Sequence, residues 1–209
     1  MKSIVAAMPT LVRYLLGFDY IVNGLNWWVK IITPYPSISD FVHFLPRMDM
    51  VGVMIEEGFM FDLVKAIELL AGIALVTNCY AAMALVVAMT VTVPVFIVDV
   101  FQGHMRLRAF LMGTGALVMN LFLLCCYFDY FRPLFTLRAH ANMDPRVRRS
   151  DDGAKSAALV ESIIRPVLPW FGAVAIAFGL VMCAWLCVMI VQHAINPQTL
   201  NDIRPMQPR

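Results

Sequence analysis

Long apolar runs alternate with short polar breaks along most of the chain. Five runs, at residues 11–32, 57–78, 80–100, 109–130 and 166–194, approach the roughly 20 residues that a helix needs to cross a bilayer. The ten-residue alternation of a membrane β-barrel is absent. The pattern predicts an all-α membrane protein with five transmembrane helices, four over residues 1–130 and the fifth after a long connection. Only Asn78 and Cys79 separate the second and third runs, so these two are expected to form a tight antiparallel hairpin.

The breaks set the topology. Residues 33–53 are too long for a turn, and Pro34, Pro36 and Pro46 interrupt any helix through them. Residues 131–165 carry Arg132, Arg138, Arg146, Arg148, Arg149, Lys155 and Arg165. Such a basic cluster between spans marks the cytoplasmic side. Counting back from this loop puts the N-terminus in the cytoplasm, and loop 33–53 and the C-terminus in the periplasm. Within the basic loop, residues 154–164 read as a separate amphipathic surface helix. Pro197, Pro205 and Pro208 leave the tail, residues 195–209, extended. Pro94 is expected to kink the third span, with Thr90 or Thr92 taking up the freed backbone groups.

Composition agrees with this class. The chain is 61% hydrophobic and 14% charged, an excess that belongs to a polytopic membrane protein and not to a soluble domain. The run after Lys2 is short and feeds directly into the first span, so no cleaved signal peptide is expected. The net charge of +2 makes no case for nucleic acid. Cys79, Cys125, Cys126, Cys183 and Cys187 show no metal-ligand spacing and read as small buried hydrophobes.

The polar residues inside the runs change the picture most. Lys65 and Glu68 are three apart, hence neighbours on one helix face. A charge near the middle of a membrane helix costs roughly 3 kcal/mol and is expected to face protein or water. Gly72 extends that face and admits a close neighbour, so the helix over residues 61–77 is expected to be the seam on which the others pack. In the first run Asp19, Asn23, Asn26 and Lys30 share one face, while Arg13, Gly17, Tyr20, Gly24 and Trp27 share the opposite one. That helix is expected to be buried on two sides. On antiparallel helices Lys65 and Glu68 fall at about the depths of Asn26 and Asn23. The result is a predicted buried polar layer of Asp19, Asn23, Asn26, Lys65 and Glu68, with Gly17, Gly24 and Gly72 as packing glycines. Two readings stand side by side: a proton or quinone-headgroup site, and a structural ion pair that fixes helix packing.

Other chemistry is sparse. His43, His104 and His193 fall on the outer side near several methionines, a ligand set that suits copper, but no HxxxH or CxxC spacing accompanies them and no metal site is expected. No histidine lies mid-span, which disfavours a haem held by two histidines. No nucleotide loop, catalytic triad or carboxylate pair with a nucleophile is visible.

Three segments, RYLLG at residues 13–17, NGLN at 23–26 and ELLAGIAL at 68–75, together resemble the DoxX family of small bacterial membrane proteins over residues 11–130. Asn26 stands where that family has a lysine, and Asn78 where it has a glycine. The resemblance implies a DoxX-like four-helix bundle in the bacterial inner membrane. It implies membership of quinone-linked oxidoreductases, thiosulfate:quinone oxidoreductase among them, or of redox-stress complexes. The expected role is that of an accessory or structural subunit, not catalytic on its own. Its expected partners are the bilayer and other membrane subunits or further copies of itself, with no covalent cofactor and with quinone or lipid at the bundle surface. The alternative is a small transporter or proton-conducting protein using the Lys65 and Glu68 layer, although the chain lacks the inverted repeat that such folds often carry. A quinone-reactive enzyme in its own right would need an electron-donor site, and none is visible.

Overall fold

The computed structural model describes residues 2–29, 31–32, 59–102, 107–131 and 153–196. Apart from turns these residues are helical: α1 (Lys2–Val29), α2 (Phe59–Thr77), α3 (Ala81–Ile97, continued by a π-helical turn Val98–Gln102), α4 (Leu107–Cys126), the single turn α5 (Phe128–Phe131) and α6 (Gly153–Ile195). No strand occurs among the described residues. Among the described residues three segments are long and apolar enough to cross a membrane: Val5–Val29, Ala81–Phe101 and Ala157–Ile195. These carry the all-helical membrane architecture. The other two predicted spans are less independent. Helix α2 has 19 residues and includes Asp62, Lys65 and Glu68, and the apolar stretch of α4 is the shorter Phe110–Cys126.

Glycine contacts give the direction of each helix. Gly17 faces Leu75 and Val76 while Gly24 faces Leu69, so α1 and α2 are antiparallel. Gly172 faces Met8 and Gly179 faces Leu15, so α6 runs parallel to α1. Gly115 faces Met182 while Gly172 faces Phe122, which sets α4 antiparallel to α6. The starts of α1, α3 and α6 therefore share one end of the bundle with the finishes of α2 and α4.

The central helix is α1, not α2 as the sequence suggested. It packs against α2, α4 and α6, whereas α2 packs mainly on α1 and α3. The reason lies in the composition of α1, whose small and polar residues on both faces suit neighbours on both sides. Val12, Leu16, Leu75, Leu85, Met119, Phe122, Leu123 and Met182 are buried at its flanks. In a membrane such packing is held by close van der Waals contact, because lipid is as apolar as the core. The outer surfaces are apolar too: Leu70, Ile73, Val86, Val87, Leu180, Val181, Val188 and Val191 all point outward, as lipid contact requires.

Two local expectations change. Residues 154–164 do not form a separate helix, because α6 runs unbroken through Pro166 and Pro169. Each proline frees the carbonyl four residues earlier, here those of Ser162 and Arg165, which are exposed, so solvent or headgroups can take them. At Pro94, Thr90 Oγ1 donates to Val87 O and Thr92 Oγ1 to Ala88 O. Neither hydroxyl serves the carbonyl that Pro94 frees, since an oxygen donor on a helix reaches carbonyls behind it. Helix α3 instead widens into its π turn, with the Val98 amide shared between Pro94 O and Val95 O.

The hairpin between α2 and α3 is tight. Asn78 and Tyr80 have φ of 58° and 55°. Asn tolerates this left-handed region because its short amide bonds locally. Here the Asn78 amide nitrogen of the backbone donates to Leu75 O, and its side-chain oxygen accepts from Tyr127 Oη at 3.1 Å.

Candidate functional site

The site begins with three glycines. A Cβ at Gly72 would stand 2.8 Å from Gly17 O and from the Ile21 backbone nitrogen; one at Gly24 would stand 2.9 Å from the Leu69 nitrogen. Side chains larger than hydrogen would push the two backbones apart. Gly17, Gly24 and Gly72 are therefore used inside the molecule, between α1 and α2, and do not form a face open to other subunits. Their close approach brings Asn23 and Asn26 of α1 level with Glu68 and Lys65 of α2.

On α2 Lys65 Nζ donates to Glu68 Oε2 at 2.7 Å, and the two residues are only 7% and 8% exposed. The ammonium also lies over the Phe61 ring, 5.4 Å from its centre. On α1 Asn23 Nδ2 donates to Asp19 Oδ1 at 2.9 Å, and Asp19 is 2% exposed. By the glycine register Asn23 and Asn26 come level with Glu68 and Lys65, while Asp19 lies more than a turn away along α1, and the bonds described are not the expected ones. Asn23 turns to Asp19 along its own helix, and Asn26 Oδ1 accepts the backbone N–H of Ile32 at 2.7 Å, tying down the chain where α1 ends. At the outer end of the seam Trp27 Nε1 donates to Asp62 Oδ1, and the Trp27 ring meets Phe61 edge-on at 4.6 Å.

A second polar group adjoins the first. Tyr20, next to Asp19, is buried, and its hydroxyl lies 2.6 Å from Thr92 Oγ1. Asn120 Nδ2 donates to the same hydroxyl at 3.0 Å. Since Thr92 gives its own proton to Ala88 O, Tyr20 is the donor toward Thr92. The chain of bonds therefore runs from Asn120 through Tyr20 and Thr92 to Ala88 O, joining α4, α1 and α3. Asn120 Oδ1 is buried with no partner. In the sequence Thr92 belongs to the Pro94 kink and Tyr20 to the other face of the first run; nothing in their spacing links them to each other or to Asn120.

Of the three candidate ligand histidines, His43 and His104 lie outside the described residues. His193 is half-buried near the end of α6, with Nδ1 unpartnered. No group of three or more His, Cys, Asp or Glu residues that could hold a metal occurs among the described residues. The cysteines are free thiols, and Cys183 Sγ donates to Leu15 O at 3.6 Å between α6 and α1.

Chemically, the arrangement is a buried array with two carboxylates, one ammonium and a phenol, held by rigid helices. It can hold a proton, exchange one, or orient a polar headgroup. Comparison with family models, with curated proteins and with solved structures returned no match, and the site is read from its own geometry.

Proposed function

We propose that the chain is a proton-handling accessory subunit of a quinone-linked membrane redox complex, with Asp19, Lys65 and Glu68 as its working group. The observation that supports this most is a charge count. Lys65 is paired with Glu68 at 2.7 Å, so among the described residues Asp19 is a further buried carboxylate, held by the Asn23 amide, and the group is electrically neutral only when one carboxyl holds a proton. A net charge kept from water is strongly unfavourable, so the cluster has a built-in reason to bind a proton and a second carboxylate to pass it to. Arg13 does not pair with Asp19: it lies six residues away on α1, about 9 Å along the axis.

The quinone-linked setting rests on the resemblance to DoxX proteins. Quinone reduction consumes protons, and in this reading the quinone is the substrate of the complex while this chain handles the proton. The test is purification of the native assembly in mild detergent, followed by activity and infrared measurements on Glu68→Gln and Asp19→Asn. The reading expects co-migrating subunits and, in both variants, an assembled complex with slowed turnover and an altered carboxyl stretch. A monomer fully active by itself, or variants with unchanged turnover, would overturn it.

The alternative, a small proton conductor or transporter acting alone, draws on the adjoining bonds from Asn120 through Tyr20 to Thr92, which extend the polar seam across the bundle. Purified chain in liposomes loaded with a pH-sensitive dye separates the two. Glu68-dependent acidification with no other subunit present would favour the conductor.

A further inference from the structure

Arg13 is the cation that the polar layer leaves over. It is 8% exposed, and its Nη1 is buried without a hydrogen-bond partner. Its described contact is with a ring: Cζ stands 4.9 Å from the centre of Tyr14. A guanidinium stays charged at any pH a protein meets. A buried, unpaired charge is too costly to persist, so the site calls for an anion.

Position narrows the choice. Gly17 packs against Leu75 and Val76, close to the finish of α2 at Thr77. One helical turn further back on antiparallel α1, Arg13 comes level with the turn at residues 78–80. Arg13 thus stands at the rim of the α1 and α2 pair, although it lies about 12 Å along the axis from Val5. Helical side chains tilt toward the N-terminus, which here is toward that rim. Tyr14 beside it is 47% exposed and amphipathic, the kind of ring that sits at the headgroup level. The residues past it at the same end, Val5, Ala6, Ala7, Thr10 and Leu11, are exposed, leaving room for a lipid to lie against α1.

We propose that Arg13 is a binding site for the phosphoryl headgroup of an anionic phospholipid, with Tyr14 stacked alongside. The planar fork of Arg matches phosphate oxygens in pairs, and the exposed apolar side chains of Leu11 and Tyr14 lie beside it for contact with the lipid. This site is separate from the Asp19, Lys65 and Glu68 cluster and does not depend on its role.

The test is native mass spectrometry and thermal unfolding of the full chain, delipidated in neutral detergent, with added phosphatidylglycerol or inorganic phosphate. The wild type should bind phosphatidylglycerol and unfold at a higher temperature with it. Arg13→Met should fold at least as well as wild type without lipid, since it removes an unpaired buried charge, yet bind phosphatidylglycerol about tenfold more weakly. Arg13→Lys, which keeps a point charge, should retain part of the binding. Equal lipid binding by Arg13→Met would overturn the proposal. So would equal protection of the wild type by inorganic phosphate alone, which would assign a free anion. A dimer that Arg13→Met dissolves, with lipid binding unchanged, would assign the anion to a second copy.

Discussion

Tyr20 and Thr92, 72 residues apart, share a 2.6 Å hydrogen bond near the middle of the bundle. The phenol also accepts from Asn120, so one side chain on α1 fixes the rotation of α3 and α4. Tyr20→Phe removes both bonds and leaves Asn120 Nδ2 buried without its acceptor. We expect a loss of about 1–2 kcal/mol, measured as unfolding in detergent. Combining Tyr20→Phe with Asn120→Leu should recover most of it, because no polar group is then stranded.

The Lys65 and Glu68 pair should show the same asymmetry on a larger scale. Glu68→Ala leaves Lys65 buried without this counter-charge, a loss of roughly 3–5 kcal/mol. Glu68→Leu with Lys65→Met should restore much of the folded yield. Recovered folding together with recovered activity of the assembly would make the pair structural and count against its role in proton handling. Recovered folding without activity is the outcome that the proposed function requires.

Glycine substitutions should separate backbone contact from side-chain contact. A methyl at position 72 would meet the Gly17 carbonyl and the Ile21 backbone at 2.8 Å, whereas one at position 172 would meet Met8 Sδ and the rim of Phe122 at 3.0 Å. Side chains can shift and a helix backbone cannot. Gly72→Ala is therefore expected to cost about 1–3 kcal/mol, and Gly172→Ala clearly less, when the two are compared by the same unfolding assay.

Orientation is open to labelling. A reporter fused after Arg149 should read cytoplasmic, and one fused after Arg209 periplasmic. Cys79 is exposed in the turn between α2 and α3, at the end where α6 begins. A membrane-impermeant maleimide should therefore reach Cys79 from the cytoplasmic side and not from the other. Labelling from the periplasm would invert the bundle.

How much of this was legible beforehand depends on the range of each signal. The helices follow from apolar runs, a local property. The pairing of Lys65 with Glu68 follows from a spacing of three on one helix, and the burial of Asp19 and Asn26 from the cost of polarity in lipid. The glycines at 17, 24 and 72 were readable as sites of close approach, but not as the contact of α1 with α2, because any helix can fill such a groove. Tyr20, Thr92 and Asn120 meet only once three helices have been ordered and rotated, and no spacing within one helix encodes that. Asn26 looked like part of the layer and instead holds Ile32, since an amide near a helix end has a nearby backbone N–H as competitor. Pro166 looked like a boundary, yet α6 passes through it where the freed carbonyl is exposed.

The seating of α2 against α1 also bears on how the chain enters the membrane. Lys65 and Glu68 together disfavour insertion by about 6 kcal/mol on the biological scale, while each Leu, Ile, Val or Phe favours it by roughly 0.5 kcal/mol. Phe59, Phe61, Leu63, Val64, Ile67, Leu69, Leu70, Ile73, Leu75 and Val76 supply about 5 kcal/mol. Asp62, nearer the helix end, adds to the cost, so left alone at the translocon this segment does not favour lipid. Helix α1 is synthesised first and brings Asn23 and Asn26 to the depth of Glu68 and Lys65, with a glycine groove of matching shape. The insertion of α2 is thereby made conditional on its predecessor, and a ribosome that has emitted only α2 behind a foreign first helix should leave it outside the bilayer.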